Sequence, residues 1–154
     1  MQLVNVKNLF LSELGTIENA VIESEIKDFE LTDDVEGRSV SGSLVLTKLD
    51  DSILVTGKFE AKVVAICDRC LDNFPFKVDF NLEREYIFDR LRKDNDNLYV
   101  DKYFNIDITE PIREELILTM PMKKICGENC KGICPGCGEN LNQKKCRCEI
   151  NPQG

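Results

Sequence analysis

The sequence predicts an α+β fold: an antiparallel β-sheet or partly closed barrel packed by a helix, with a C-terminal zinc-knuckle-like tail. Three observations carry this. Between residues 39 and 88, runs rich in Val, Ile, Thr and Phe alternate with polar residues at period two, the spacing of half-buried strands. Between 106 and 121, apolar residues recur at helical spacing and a proline closes the segment. Six of the eight cysteines fall between 126 and 148, in "CGENCKGICPGCGENLNQKKCRC". The predicted division is a sheet-plus-helix body over 1–121 and a cysteine-rich metal-binding tail over 122–154, packed on that body.

Residues 1–36 mix short apolar groups with acids. In "NAVIESEIKDFEL", Val21, Glu23, Glu25 and Lys27 alternate with Ile22, Ser24, Ile26 and Asp28, which loosely fits an edge strand. "SVSGSLVLTKL" and "SILVTGKFEAKVVAI" predict two antiparallel strands over about 39–49 and 53–66, turned by the intervening Asp pair. "NFPFKVDFNLEREYIF" sets Phe74, Phe76, Val78, Phe80 and Leu82 on one face against Lys77, Asp79, Asn81 and Glu83, a third strand of the meander. The segment 89–105, rich in charge and in Asp and Asn, reads as a solvated loop. In "IDITEPIREELILTMP", Thr109 suits the helix cap, Glu110 and Pro111 suit the first turn, and Pro121 stops the helix. Ile112, Leu116 and Met120, at i, i+4 and i+8, form the face that covers the sheet.

At 154 residues and 42% hydrophobic content, the chain is long enough for one domain with a real core. Its opening lacks a basic n-region, an apolar h-region and a cleavage site, and no run of about 18 apolar residues occurs, so a cytoplasmic protein is expected. It contains no histidine, which removes the commonest general base and the usual activator of serine and cysteine nucleophiles. A triad hydrolase is excluded. The acids of "DRLRKDNDN", including Asp89, Asp94 and Asp96, have no defined ligand spacing and read as solvated surface, not as a magnesium nuclease centre. No enzyme is expected.

The net charge of -8 is unevenly spread. Residues 122–154 carry six basic and three acidic side chains, whereas 1–121 carry 14 basic and 25 acidic ones. The tail, with Lys123, Lys124, Lys131, Lys144, Lys145 and Arg147, is therefore the candidate surface for RNA or another partner. The same cations equally suit a solvated rim that keeps the tail soluble, and four thiolates around Zn2+ sum to -2, which erodes the positive charge.

In a reducing cytosol, cysteine pairs at short spacing point to metal before structural disulfides. Cys134 and Cys137 of "CPGCG" are spaced to place both sulfurs on one ion, with Gly136 and Gly138 free to adopt left-handed backbone angles. Cys146 and Cys148 follow after "GENLNQKK", long enough to fold back and complete a site. Cys67 and Cys70, ending a strand, and Cys126 and Cys130, following the helix, would make a second. A single site of Cys126, Cys130, Cys134 and Cys137 is the competing arrangement. An all-thiolate shell is the closed, structural kind, so one or two structural Zn2+ ions are expected. "CDRC" does not open a helix in a strand-helix alternation, the setting for redox catalysis, and Cys67 and Cys70 could also be plain buried thiols.

The combination of "CDRCLDNFPFKV", "EELILTMPM" and the tail motif resembles the YceD family, the large ribosomal RNA subunit accumulation proteins of bacteria and plastids, over about residues 37–149. The family's strand-end pair falls on Cys67 and Cys70, with Arg69 and Leu71 also matching. Its tail cysteines fall on Cys126, Cys130, Cys134, Cys137, Cys146 and Cys148, with Asn140, Leu141 and Asn142 following the Cys134–Cys137 knuckle; Ile133 stands in place of leucine. The resemblance implies a non-enzymatic factor for the synthesis, processing or stability of large-subunit (23S) ribosomal RNA, with that RNA or ribosomal proteins as partners. A zinc-stabilised protein-interaction adaptor, acting on ribosomal RNA only indirectly, is the alternative.

Overall fold

The computed structural model describes residues 2–25, 30–32, 35–88 and 98–145. Elements run in the order β1 (Leu3–Asn5), α1 (Lys7–Phe10), β2 (Ile17–Glu25), β3 (Glu30–Thr32), β4 (Val35–Lys48), β5 (Ser52–Ile66), β6 (Asn73–Ile87), β7 (Leu98–Tyr99), β8 (Asn105–Asp107) and α2 (Thr109–Thr119). The main sheet has the order β2-β4-β5-β6-β7, with β3 also on β4, and β1 pairs with β8 separately. All neighbours are antiparallel except β6 and β7.

Two expectations are corrected here. The sheet is mixed, since Tyr86 and Ile87 pair with Leu98 and Tyr99 in parallel. Among the described residues it is also open: β2 and β7 end the strand order and do not pair with each other, so the open sheet and not the partly closed barrel is found. The reason lies in how the apolar face is covered. Val40, Leu44, Val55, Phe59, Ala61, Val63, Phe80 and Leu82 share one core with Val6 and Leu9 near α1, Ile106 and Ile108 near β8, and Ile112 and Leu116 on α2. Burying a Val, Leu, Ile or Phe side chain contributes about 1.5–3 kcal/mol, and the flanking elements supply this without the strands having to close on themselves.

Alternation holds along β5, where Ile53, Val55, Phe59, Ala61, Val63 and Ala65 are buried and Lys58 and Lys62 exposed. In β4 the buried Val35 and Val40 lie an odd number of residues apart. A β-bulge reconciles them: Gly37 pairs with Val63 and Ser39 with Lys62, leaving Arg38 extra. The helix also begins differently from expectation. Ile108 is its N-cap, the Asp107 carboxylate accepts the Thr109 N–H at 2.9 Å, and the Thr109 hydroxyl instead accepts the Gln2 N–H at 2.7 Å. Met120 leaves the helix in extended conformation, as a residue preceding proline must. Ile26, Lys27, Asp28 and the acids of 89–97 lie outside the described residues. Among the described residues, no helix is long and apolar enough to cross a membrane.

Candidate metal centre

The β5–β6 connection builds the first half of the centre. The Cys67 N–H donates to the Asp72 carbonyl at 2.8 Å and the Leu71 N–H to the Cys67 carbonyl at 3.0 Å, closing a tight knuckle. Its last turn requires a left-handed residue, and Leu71 takes φ of 63°, a conformation costing a side-chain residue about 1–2 kcal/mol. Such strain persists only where the surroundings impose it.

The segment after α2 supplies the second half. The Asp68 N–H donates to the Lys124 carbonyl at 2.7 Å and the Lys124 N–H to the Asp68 carboxylate at 2.8 Å, so the chain enters the knuckle at a fixed height. Four sulfurs then converge. Cys67 and Cys130 Sγ are 3.8 Å apart, Cys70 and Cys126 Sγ 3.7 Å, and all four lie within 4.8 Å of one another. None of the four is bridged in a disulfide. A tetrahedral metal–thiolate centre with bonds of about 2.3 Å has sulfur–sulfur edges of about 3.8 Å, so the donor set fits a metal ion. Cys67 and Cys70 are buried, Cys130 is partly so and Cys126 is exposed.

The surroundings already favour thiolate at two of the sulfurs. Burial pushes the Cys67 thiol up, but hydrogen bonds from the backbone of Cys70, Cys126 and Arg69 outweigh it and lower the thiol from 9.0 to about 6. One of these is the Cys126 N–H, 3.3 Å from the Cys67 sulfur. Cys130 is lowered chiefly by the Asn142 side-chain amide, which donates to its sulfur at 3.3 Å. Cys126 is pushed up to about 12, first by its hydrogen bond with Cys130. Cys70 is raised: the Asp72 backbone favours its thiolate, but burial and the Cys67 sulfur prevail.

Cys134 and Cys137 do not join this cluster. Residues 134–139 nevertheless repeat the geometry of 67–72. The Gly138 N–H donates to the Cys134 carbonyl at 2.8 Å, the Cys134 N–H to the Glu139 carbonyl at 2.9 Å, and Gly138 takes φ of 73° where Leu71 takes 63°. Cys146, Arg147 and Cys148 lie outside the described residues.

Braces hold the two knuckles together. The side chains of Asn140 and Gln143 both donate to the Asp72 carboxylate, and Asn142 Oδ1 accepts the Lys131 N–H at 2.8 Å. Gly132, at φ 75°, passes so near that a Cβ there would stand 3.3 Å from the Arg69 carbonyl. The "NLN" triplet thus braces both knuckles, a role its spacing alone does not reveal. Around the centre, Lys123, Lys131, Lys144 and Lys145 are exposed, while Lys124 is half-buried. Arg69 joins this rim, donating to the Cys130 carbonyl at 3.4 Å. Sequence reasoning did not single it out as a contact residue, because its proximity to the tail follows only once Cys67 and Cys130 meet.

No solved structure matches the chain. An uncharacterised protein of Mycobacterium tuberculosis is 28% identical over 112 residues, which is 69% of this chain and 53% of the relative. The chain thus spans about half the length of the curated mycobacterial relatives it matches. A protein of Arabidopsis thaliana described as "Large ribosomal RNA subunit accumulation protein YCED homolog 1, chloroplastic" is 46% identical over 43 residues, 28% of this chain and 13% of that one. Its Zea mays counterpart is 43% identical over 51 residues, 32% and 17% respectively. The family model described as "Large ribosomal RNA subunit accumulation protein YceD" matches residues 55–153, which takes in most of β5, all of β6 and α2, and every cysteine. On that match, the chain belongs to the YceD family.

Proposed function

We propose that the chain is a non-enzymatic accessory factor for the synthesis, processing or stability of large-subunit (23S) ribosomal RNA, acting in the cytoplasm during ribosome assembly. The family match over 55–153 carries this reading, because it spans the metal centre and its rim. Cys67, Cys70, Cys126 and Cys130 would hold one structural zinc ion, whose closed thiolate shell supplies a staple and no open catalytic position. The matching knuckle at Cys134 and Cys137, with Cys146 and Cys148, would hold a second. Two such centres of net charge -2 each draw on the surrounding cations, which offset that charge along one edge of an acidic molecule. That edge, with Arg69, Lys123, Lys131, Lys144 and Lys145, is the surface offered to ribosomal RNA or a ribosomal protein.

Crosslinking in growing cells, followed by sequencing of the attached RNA and identification of bound proteins, tests the reading. Large-subunit RNA or ribosomal proteins are expected, and recovery of neither would overturn it. Where RNA phosphates are the contact, affinity of the purified protein falls steeply with salt; a protein partner gives a shallower slope.

A further inference from the structure

We propose that the open edge of β2 binds a lysine- or arginine-rich extended segment of a protein partner as an added strand. The edge is fixed by a turn just before it. The Gly15 N–H donates to the Lys48 carbonyl at 2.8 Å and the Lys48 N–H to the Thr16 carbonyl at 2.9 Å, with Gly15 at φ 80°, the bonding pattern of a glycine bulge. Ile17 and Thr47 form the next pair, and the register runs unbroken to Glu25 and Ser39. Pairs in an antiparallel ladder alternate between bonded and non-bonded. With Lys48 bonded to Thr16, the pairs at Ile17, Asn19, Val21 and Glu23 are non-bonded, so their N–H and C=O groups point away from β4. Among the described residues no strand pairs with that side.

Sheet edges are commonly blunted by shortness, bulges, proline or charged side chains, above all lysine, and a strand guarded by acids alone still admits a basic partner. The opposite edge strand, β7, has two residues. β2 has nine, "IENAVIESE", without proline, lysine, arginine, glycine or bulge. Its side chains say what fits. Ile17 and Val21 are 59% and 75% exposed on the outer face, ready to pack against aliphatic residues of an added strand. Glu18, Glu23 and Glu25 give the strand three negative charges, and it holds no lysine or arginine of its own. A second copy would bring three more carboxylates and no cation to the same seam, whereas a basic segment brings the opposite charge. Backbone pairing then gives affinity and alternate side chains give selectivity. The inference goes beyond the ribosomal reading and does not depend on it.

The test uses the full chain and a blocked nine-residue peptide of alternating lysine and valine, read by amide hydrogen exchange in NMR spectra. Saturating peptide is expected to slow exchange at Asn19, Val21 and Glu23 at least tenfold, and an alternating glutamate–valine peptide to leave them unchanged. Val21→Pro removes an outward N–H that β4 does not use, so the sheet persists while peptide affinity falls at least tenfold. Should that variant fail to fold, Glu18→Lys with Glu23→Lys decides: a tenfold loss supports the site, and unchanged binding overturns it. Equal binding of the acidic peptide, protection confined to other strands, or protection that rises with protein concentration in the absence of peptide would each overturn it as well.

Discussion

A Cβ on Gly42 would run into the Phe59 ring and stand 2.5 Å from the Lys58 carbonyl. Gly42 pairs with Phe59 across the ladder, and Phe59 pairs in turn with Phe80, their rings stacked at 5.5 Å and 13°. A carbonyl in a ladder cannot move aside as a long side chain can. Gly42→Ala is therefore expected to destabilise the chain by about 1–3 kcal/mol, the range for overpacking, seen as a lower urea midpoint with unchanged slope. An unchanged midpoint would mean the ring does not rest on Gly42. In the sequence this glycine looks like a weak point in a strand, because the residue that needs the space lies 17 positions away. The clustered cysteines stand out for the opposite reason: Cys67 and Cys70, and Cys126 and Cys130, each lie within five residues of each other, so the pairs can be read locally. Leu71 was legible only as a motif match, since nothing in a leucine signals a left-handed backbone.

Strands with unbroken alternation were readable and those with a local irregularity were not. β5 and β6 appear in the sequence close to their observed limits, whereas β4 starts at Val35 and not near 39 because the extra Arg38 breaks the period there. β1, α1 and β8 are three or four residues long, too short for any period, and are held by contacts distant in sequence. Among those contacts, the buried Tyr86 hydroxyl donates to the Asp107 carbonyl at 2.7 Å, joining β6 to the entry of α2. Burial first, and the Asp107 charge second, raise this hydroxyl above its ordinary 10.0. Above pH 10 the unfolded chain releases this proton while the folded one keeps it, so the stability it contributes is complete below pH 10 and declines as pH rises. Tyr86→Phe should flatten that alkaline decline by up to about 1.4 kcal/mol per pH unit, and cost about 1–3 kcal/mol at neutral pH by leaving a carbonyl unpaired. Thermal unfolding between pH 7 and 11 measures both. An equally steep alkaline limb in the variant would assign the decline to other groups.

The molecule divides by what holds each part. The sheet and α2 share an apolar core that involves none of the four clustered cysteines, whereas residues 122–145 bury only Gly132 and Cys134 and are tied down by the sulfur cluster and a few polar braces. On the zinc reading, each ion contributes on the order of 10–16 kcal/mol of apparent binding free energy, far more than hydrogen bonds worth about 1 kcal/mol each can replace. Removing zinc with a chelator should therefore unfold the tail and free the 67–72 knuckle while the sheet survives. Amide resonances of residues 126–145 are expected to collapse towards random-coil shifts, with β4, β5 and β6 keeping their dispersion and the far-UV signal little changed. The purified chain should carry two zinc ions, falling to one in Cys134→Ser with Cys137→Ser, and that variant should keep the shifts of Cys67–Asp72. Tail dispersion that persists after the metal is gone would show that the braces suffice without it. Loss of the sheet together with the tail would instead mean that the β5–β6 knuckle, placed at the end of the two longest strands, nucleates the whole fold.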